Sequence, residues 1–290
     1  MRRSCVEGAV SKQDLFKSLM KKEATVVGTP RLAPNKVKIV SSWSNPGGSS
    51  LAHINLTNLL NANGYDCTFY GPHDWHLDKC KAGILKDCIL SPQDTLISHC
   101  IQIPEQVDVR QHIMYCHEKE VFPLKGRNLA HYDLIVFVSN SQKEWHGSDH
   151  QSTVIPPIVR KVNWTNPNNG VAGVIGSIDE NKQTHKSIQR AILAGYGRVL
   201  LFGQVNDEPY FDEKVQPMLA SGQVVLADHE DDPTAMYGHV SEVFHSSLSE
   251  TYGLVEAECR LSGIPFNGES NGQEILGNEE ILKRWRKVLS

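Results

Sequence analysis

The chain has 290 residues, a formal net charge of -4, 40% hydrophobic residues and 21% charged residues, a composition typical of a globular protein with one large or two medium domains. No apolar run approaches the ~18 residues of a membrane span, and the N-terminus lacks the apolar core of a signal peptide, so we expect a cytoplasmic protein. The slightly negative charge argues weakly against a polyanionic partner, and seven cysteines without close spacing fit a reducing compartment.

Residues 1–35 form a candidate N-terminal extension. Lysines surround a few apolar residues there, a pattern that predicts a short amphipathic helix. Such a helix could touch an anionic membrane surface, but packing on its own domain or fraying is the commoner behaviour.

A βαβ unit opens the first domain. An apolar strand at 36–42 is followed by a turn that contains Gly47 and Gly48, and then by a helical pattern at 51–62. A second strand at 67–70 completes the unit and indicates a parallel sheet. Because G-x-G-x-x-G is absent, the turn resembles a dinucleotide fingerprint only loosely. A tight turn and a ligand-binding loop both remain compatible with it.

The rest of the first domain, which we assign to residues 36–165, contains further strands. His117 ends one of them, at the carboxyl edge where ligands bind in open α/β sheets; a solvent-facing loop histidine is the alternative. The polar, turn-rich segment 163–170 is a candidate linker. The predicted strands cover residues 94–100, 111–117, 133–139 and 153–157.

Residues 166–290 form a second alternating series, which predicts a second doubly wound α/β domain. Its last helix, at 279–290, has an apolar face and a basic face that we expect to be solvated. The predicted strands cover 171–178, 198–203, 224–227 and 240–244, and the predicted helices cover 184–193, 210–219 and 233–237.

The segment after the strand at 240–244 organises the second domain. A glycine turn leads into a helix, which Gly263 and Pro265 end. The first-turn amides of such a helix have no intrahelical partners and lie at the positive end of its dipole, so they can bind a phosphate or diphosphate. This candidate diphosphate seat consists of Thr251, Tyr252, Gly253 and Leu254.

Two carboxylates, Glu250 and Glu258, flank this seat. Along one helix they would be about 12 Å apart, whereas glycosidase acid/base pairs need carboxyls about 5 to 9.5 Å apart. A hydrolase pair is therefore excluded unless the loop folds back. An ordinary amphipathic helix, with Leu254, Ala257 and Leu261 buried and the acidic face solvated, is the structural alternative.

The spacing Glu250-x7-Glu258, followed by Ser-Gly-Ile-Pro at 262–265, resembles the E-x7-E signature of the retaining GT-B glycosyltransferases of family 4. The resemblance implies an α/β fold of two Rossmann-like doubly wound domains that face each other across a cleft, here in a compact version. It also implies metal-independent transfer of a hexosyl group, without a cofactor, from a nucleoside diphosphate sugar. UDP or GDP is the expected nucleotide, and the acceptor is an unidentified saccharide, lipid or small molecule.

The same resemblance implies roles for individual residues. It places Glu250 beside the donor sugar, Glu258 on the nucleotide ribose and His117 against the donor sugar or phosphate. Lys182 lies in a stretch that matches the family's Gly-Arg-Leu to Lys segment and would neutralise the diphosphate. Ser177 stands where the family has Arg, and a serine cannot supply the charge-assisted fork of an arginine. The glycine turn of the first domain would lie near the donor phosphate or the acceptor.

Other functions remain compatible with the sequence. The missing arginine is compatible with a sugar-nucleotide-binding protein without catalysis, and a GT-B-like enzyme of another class, such as a nucleotide-sugar epimerase, is a second alternative. A glycosyltransferase that modifies a nucleic-acid base is disfavoured because no basic stripe is present. We expect no metal, since His73, His76, Cys80 and Cys88 lack the close ligand spacing of a structural zinc site.

Overall fold

A computed structural model describes residues 35–44, 46–101, 107–227, 230 and 232–290. The chain forms two compact units. The first contains the described residues up to Ile158 together with Asn278–Ser290, and the second is Val159–Gly277. The amphipathic helix predicted within residues 1–35 lies outside the described residues.

The first unit contains a parallel sheet in the order β3-β2-β1-β4-β5-β6-β7. The chain moves from the interior strand β1 through β2 to the edge strand β3 and then crosses to β4 on the other side of β1. The carboxyl ends of β1 and β4 therefore form the topological switch point of this sheet. The strands are β1 (Lys36–Ser41), β2 (Asp66–Gly71), β3 (Ala82–Ile84), β4 (Thr95–His99), β5 (Gln111–Cys116), β6 (Leu134–Phe137) and β7 (Ser152–Val154).

Helix α1 (Gly48–Asn61) follows β1, and helix α2 (Asn140–His146) follows β6. Helix α1 begins earlier than its apolar pattern predicts, because Gly47 is the N-cap and its carbonyl accepts a hydrogen bond from the Leu51 N–H at 3.0 Å. Ser49 and Ser50 thus belong to the first turn of the helix. The glycine turn is therefore also a helix N-terminus.

The second unit contains a five-stranded parallel sheet in the order β10-β9-β8-β11-β12. Strand β8 is central, and the chain builds β9 and β10 on one side before it crosses to β11 on the other. The switch point therefore lies at the carboxyl ends of β8 and β11. The strands are β8 (Val171–Ile175), β9 (Arg198–Phe202), β10 (Val224–Leu226), β11 (Glu242–Phe244) and β12 (Phe266–Asn267).

Helices cover this second sheet and build its core. Helix α3 (Thr184–Leu193) buries Ile188 and Ala191 against Val199 and Leu201 of β9. Helix α4 (Pro233–Gly238) and helix α5 (Leu254–Ser262) contribute Tyr237 and Cys259 to a second cluster with Val243. Between β9 and β10, a helical segment covers Glu208–Tyr210, Phe211–Val215 and Gln216–Leu219.

The C-terminal helix α6 (Asn278–Leu289) packs on the first unit, whereas our sequence-based division placed it in the second domain. Trp285 is fully buried, with its ring centroid 5.2 Å from that of Tyr115 of β5. Arg110 donates to the Leu289 carbonyl at 3.0 Å, and Gln111 donates to the Val288 carbonyl at 2.9 Å. Trp285 therefore packs against β5, and the last residues of the helix are hydrogen-bonded at the start of that strand.

The predicted linker packs on the second unit. The Val162 N–H donates to Ser262 Oγ at 2.8 Å, and the Trp164 indole N–H donates to the Val240 carbonyl at 3.2 Å. The second unit begins at Val159, ahead of the polar segment 163–170.

The helices of the described residues are short. The longest, α1, has 14 residues, fewer than the ~20 that span a bilayer. Within the described ranges, no helix has both the length and the apolar character that a membrane crossing requires.

Candidate functional site

Two loops meet at the switch point of the second sheet. One follows β8 and covers residues 176–183, and the other follows β11 and covers residues 245–253. The Leu248 N–H donates to the Asn181 carbonyl at 2.7 Å, and the Asn181 side-chain amide donates to the Ser249 carbonyl at 3.1 Å. The two loops therefore form one polar surface at the edge where ligands bind in open α/β sheets.

Lys182, His245 and Glu250 form what we call the switch-point cluster. The Lys182 ammonium donates to Glu250 Oε1 as an ion pair, and His245 Nε2 lies 2.9 Å from the same oxygen. Burial alone would raise the pKa of Glu250, but the hydrogen bond from His245 and the charge and hydrogen bond of Lys182 lower it to about 2. Glu250 is therefore an anion over the whole neutral range.

Asp179 shapes the loop that carries Lys182. Its carboxylate accepts from Ser177 Oγ at 2.6 Å and from the Lys182 N–H at 2.8 Å. The Ser177 hydroxyl, where the resemblance expects an arginine, is thus committed to a neighbouring carboxylate. Lys182 is the cationic side chain of this loop.

A close approach of two glycines fixes where this loop leaves the sheet. A Cβ at Gly203, after β9, would lie 1.8 Å from the Gly176 carbonyl oxygen. The Gly176 N–H donates to the Phe202 carbonyl at 2.9 Å, and the Ile178 N–H donates to the Gln204 carbonyl at 2.8 Å. Only glycine fits at 203 without moving the start of the loop.

Arg190 of α3 is a second cation near this edge, and it was not among the predicted site residues. Its guanidinium donates to the His245 carbonyl at 3.1 Å, to Ser246 Oγ at 3.2 Å and to Asn267 Oδ1. Arg190 therefore ties α3 to the carboxyl ends of β11 and β12. No sequence signal marks it, because a helical arginine usually faces solvent.

The candidate diphosphate seat is partly covered. Gly253 has φ +80°, a left-handed conformation that favours glycine, and a Cβ there would lie 2.6 Å from the Asn271 side-chain amide. Tyr252 and Gly253 are buried, whereas Thr251 and Leu254 are half-buried. Thr251 and Leu254 are therefore the residues of this turn that remain partly accessible to solvent.

The buried face of α5 differs from the prediction. Leu261, which we expected inside, is 37% exposed, and Leu254 is half-buried. Glu256 and Glu258 are buried, which excludes the alternative of a solvated acidic face. Buried carboxylates are tolerated when they are hydrogen-bonded. The buried residues of the helix are Glu256, Ala257, Glu258 and Cys259.

Glu258 is held by two donors. Arg160 Nε donates to its Oε1 at 2.8 Å, and the Tyr237 hydroxyl donates to its Oε2 at 2.8 Å. Burial, and next the charge of Glu258, raise the pKa of Tyr237 well above its ordinary value. Tyr237 is therefore a permanent donor that orients the carboxylate.

His117 lies in the first unit, immediately after β5, and is 6% exposed. Its ring centroid is 4.1 Å from that of Tyr115, 4.9 Å from that of His53 and 5.3 Å from that of His99. Burial, and next the charge of His99, lower its pKa well below the ordinary value, so the ring is neutral. Within the described residues its Nε2 has no hydrogen-bond partner. The alternative of a solvent-facing histidine is wrong.

The glycine turn of the first unit is exposed at both Gly47 and Gly48. It follows β1 and begins α1, so it lies beside the switch point of the first sheet. Its position allows a ligand to approach the first-turn amides of α1.

His76, Cys80 and Cys88, three of the four residues considered as zinc ligands, are buried or half-buried. His76 Nε2 lies 3.0 Å from the Gly83 carbonyl oxygen, and burial raises the pKa of the Cys80 thiol to about 11 and that of Cys88 to about 12. In the part of the chain that the structure describes, no three His, Cys, Asp or Glu side chains are grouped to hold a metal ion.

Comparison with solved structures identifies the fold. Anabaena HepE in complex with UDP and glucose superposes with a TM-score of 0.64 at 16% identity, over 81% of this chain and 80% of HepE. WaaG, a glycosyltransferase involved in lipopolysaccharide biosynthesis, superposes with a TM-score of 0.58 at 12% identity, over 87% of this chain and 90% of WaaG. An alpha-glucosyltransferase in complex with UDP and a 13-mer DNA has a TM-score of 0.54 at 12% identity, over 89% and 91% of the two chains.

These neighbours and the two parallel sheets confirm the predicted fold class, two Rossmann-like domains of the GT-B type. No protein-family model matches the chain, and a search of curated proteins gives no match. At such identities the likeness concerns the fold, and a shared fold does not imply a shared function.

Proposed function

We propose that this protein is a retaining glycosyltransferase of the family 4 type, which moves a hexosyl group from a nucleoside diphosphate sugar to an acceptor. The supporting observation is the meeting of Lys182 and Glu250 at the switch point of the second sheet. The E-x7-E resemblance assigns these two residues to the donor phosphate and the donor sugar. That HepE, which has the same fold, was solved with UDP and glucose supports a sugar-nucleotide donor.

In this proposal, positioned positive charge drives departure of the diphosphate. Cleavage of the sugar–phosphate bond puts negative charge on the β-phosphate. The Lys182 ammonium and the first-turn amides of α5, approached at Thr251 and Leu254, stabilise that charge without reorganisation. Since Ser177 is bound to Asp179, Lys182 carries the electrostatic role of this loop, and no metal is required.

The remaining residues bind the donor. Glu250, ionised throughout the neutral range, accepts hydrogen bonds from sugar hydroxyls, and Glu258, oriented by Arg160 and Tyr237, accepts from the ribose. To His117, whose ring is neutral, the proposal assigns contact with the donor sugar or phosphate. A leaving phosphate oxygen removes the acceptor proton on the same face, which gives retention.

A panel of UDP, GDP and ADP sugars tests the proposal, with saccharide, lipid and DNA acceptors and nucleotide release as the readout. Lys182→Met should lower turnover by about 100-fold or more, as loss of a transition-state donor does. Lys186→Met, which removes an exposed lysine nearby, should leave it unchanged. Retention is read from the anomeric configuration of the product by NMR. Silence with every donor would refute the enzymatic function.

A second candidate is a sugar-nucleotide-binding protein without catalysis. The commitment of Ser177 to Asp179 favours it, because the usual second cation of the donor site is absent there. Calorimetry that detects nucleoside diphosphate binding, together with absence of turnover for every donor and acceptor, would select this candidate.

A further inference from the structure

One carboxylate oxygen in the switch-point cluster accepts from two donors. Glu250 Oε1 takes the Lys182 ammonium and also lies 2.9 Å from His245 Nε2. The Glu250 side chain is only 13% exposed. A carboxylate buried to this degree is costly unless it keeps a hydrogen-bond donor.

The two donors differ in mobility. Lys182 carries its charge on a flexible stem, which can rotate toward another anion. His245 is fixed through its backbone, since its N–H donates to the Asn267 carbonyl at 3.0 Å and its carbonyl accepts from Arg190 at 3.1 Å. Its ring also packs near Phe266, with centroids 6.1 Å apart.

A diphosphate at this edge competes with Glu250 for the lysine. If Lys182 turned to the phosphate, Glu250 Oε1 would lose one of the two donors that lie on it. The new ion pair between Lys182 and the diphosphate would then replace the ion pair between Lys182 and Glu250. A second donor on Glu250 Oε1 limits the cost of losing Lys182.

We propose that His245 is a positioning residue that keeps Oε1 of Glu250 hydrogen-bonded while Lys182 turns to the diphosphate of the donor. The inference deepens the proposed function and rests on it. It assigns a role to a residue that the E-x7-E resemblance leaves without one. It also predicts that the effect of His245 is confined to diphosphate ligands, since a nucleoside has no phosphate to which Lys182 could turn.

The test is calorimetric titration of the full chain with UDP, GDP and ADP and with the corresponding nucleosides. His245→Phe keeps a ring but removes the donor, whereas His245→Gln places an amide N–H near the position of Nε2. We expect H245F to weaken diphosphate binding by about 10- to 100-fold, the effect of losing a hydrogen bond to a charged group. Nucleoside binding should stay unchanged, and H245Q should restore most of the loss.

A double-mutant cycle shows whether His245 acts through Glu250. In the Glu250→Gln background the carboxylate is gone, so H245F should change diphosphate affinity by less than about twofold. His185→Phe is the matched control, because His185 is a half-buried histidine of the same unit that binds the Tyr210 hydroxyl at 2.8 Å, outside the cluster. It should bind diphosphates as the wild type does.

The outcomes separate the inference from the proposed function. Equal diphosphate affinity of H245F and wild type, equal losses for nucleosides and diphosphates, or an undiminished loss in the E250Q background would each overturn the role of His245 and leave the donor site standing. Failure of the wild type to bind any of the three diphosphates would overturn the proposed function itself. If H245F does not fold, His245→Met, which also lacks a donor, replaces it.

Discussion

Replacement of Glu250 by glutamine tests the electrostatics of the switch-point cluster. The carboxyl has a pKa of about 2 in the folded protein, against an ordinary value of 4.5. Because the folded pKa is the lower one, the ionised group stabilises the fold above the unfolded pKa. That stabilisation is lost as the pH falls from about 4.5 through about 2.

The size of the effect follows from the two pKa values. Each pH unit between them is worth about 1.36 kcal/mol, which gives about 3 kcal/mol. Since the Glu250 side chain is 13% exposed, solvent screening removes little of it. E250Q should therefore be less stable than wild type by up to about 3 kcal/mol at pH 7, and the two proteins should converge in acid.

Urea titrations at pH steps from 7 to 2.5 measure this difference in the free energy of unfolding. Glu269→Gln is the control, since Glu269 is an exposed glutamate of the same unit and its loss should matter little at any pH. A difference between wild type and E250Q that stays constant from pH 7 to pH 2.5 would refute the electrostatic argument.

Three further substitutions probe the elements that support the site. Tyr237→Phe removes the buried donor to Glu258 and should cost about 1.5 to 3 kcal/mol of unfolding free energy. Trp285→Ala leaves a cavity at the fully buried position on α6 and should lower the free energy of unfolding by about 3 to 5 kcal/mol. The measurement is the unfolding transition of the first unit. Gly203→Ala forces its Cβ against the Gly176 carbonyl and should weaken diphosphate binding, measured by calorimetry.

Each of these has a matched control. Tyr196→Phe removes a hydroxyl that donates to Glu242 at 2.7 Å in a half-buried setting, and it should cost less than Y237F. Lys287→Ala changes an exposed residue of α6 and should stay within about 0.5 kcal/mol. Gly197→Ala adds a Cβ that meets nothing within 4 Å and should bind as wild type. Equal effects in any matched pair would contradict the corresponding argument.

Much of the fold could be predicted because strands and amphipathic helices alternate along the chain and the hydrophobic periodicity of each is clear. The helix predicted at 184–193 is α3 with the same bounds, and the central strands lie where their apolar runs are. Strand β12 has two residues, too few for any periodic signal. The docking of α6 on β5 is a long-range contact, and the polarity of a helix alone does not identify the surface that covers it.

The candidate site was predictable in part. Motif spacing selected Lys182 and Glu250, but their contact depends on β8 and β11 being neighbours, which local patterns do not specify. His245 follows a strand at the carboxyl edge, so the rule that selected His117 could have selected it as well. Arg190 could not be found, since its contacts with β11 and β12 arise from tertiary packing.

The return of helix α6 to the first unit has a consequence for synthesis on the ribosome. Domains ordinarily fold in the order in which they emerge, yet the first unit lacks Trp285 until residues 278–290 have been translated. The second unit, continuous from Val159 to Gly277, has no such dependence. We therefore expect the second unit to complete its fold without the C-terminal helix, and the first unit to complete its core only after residues 278–290 have been made.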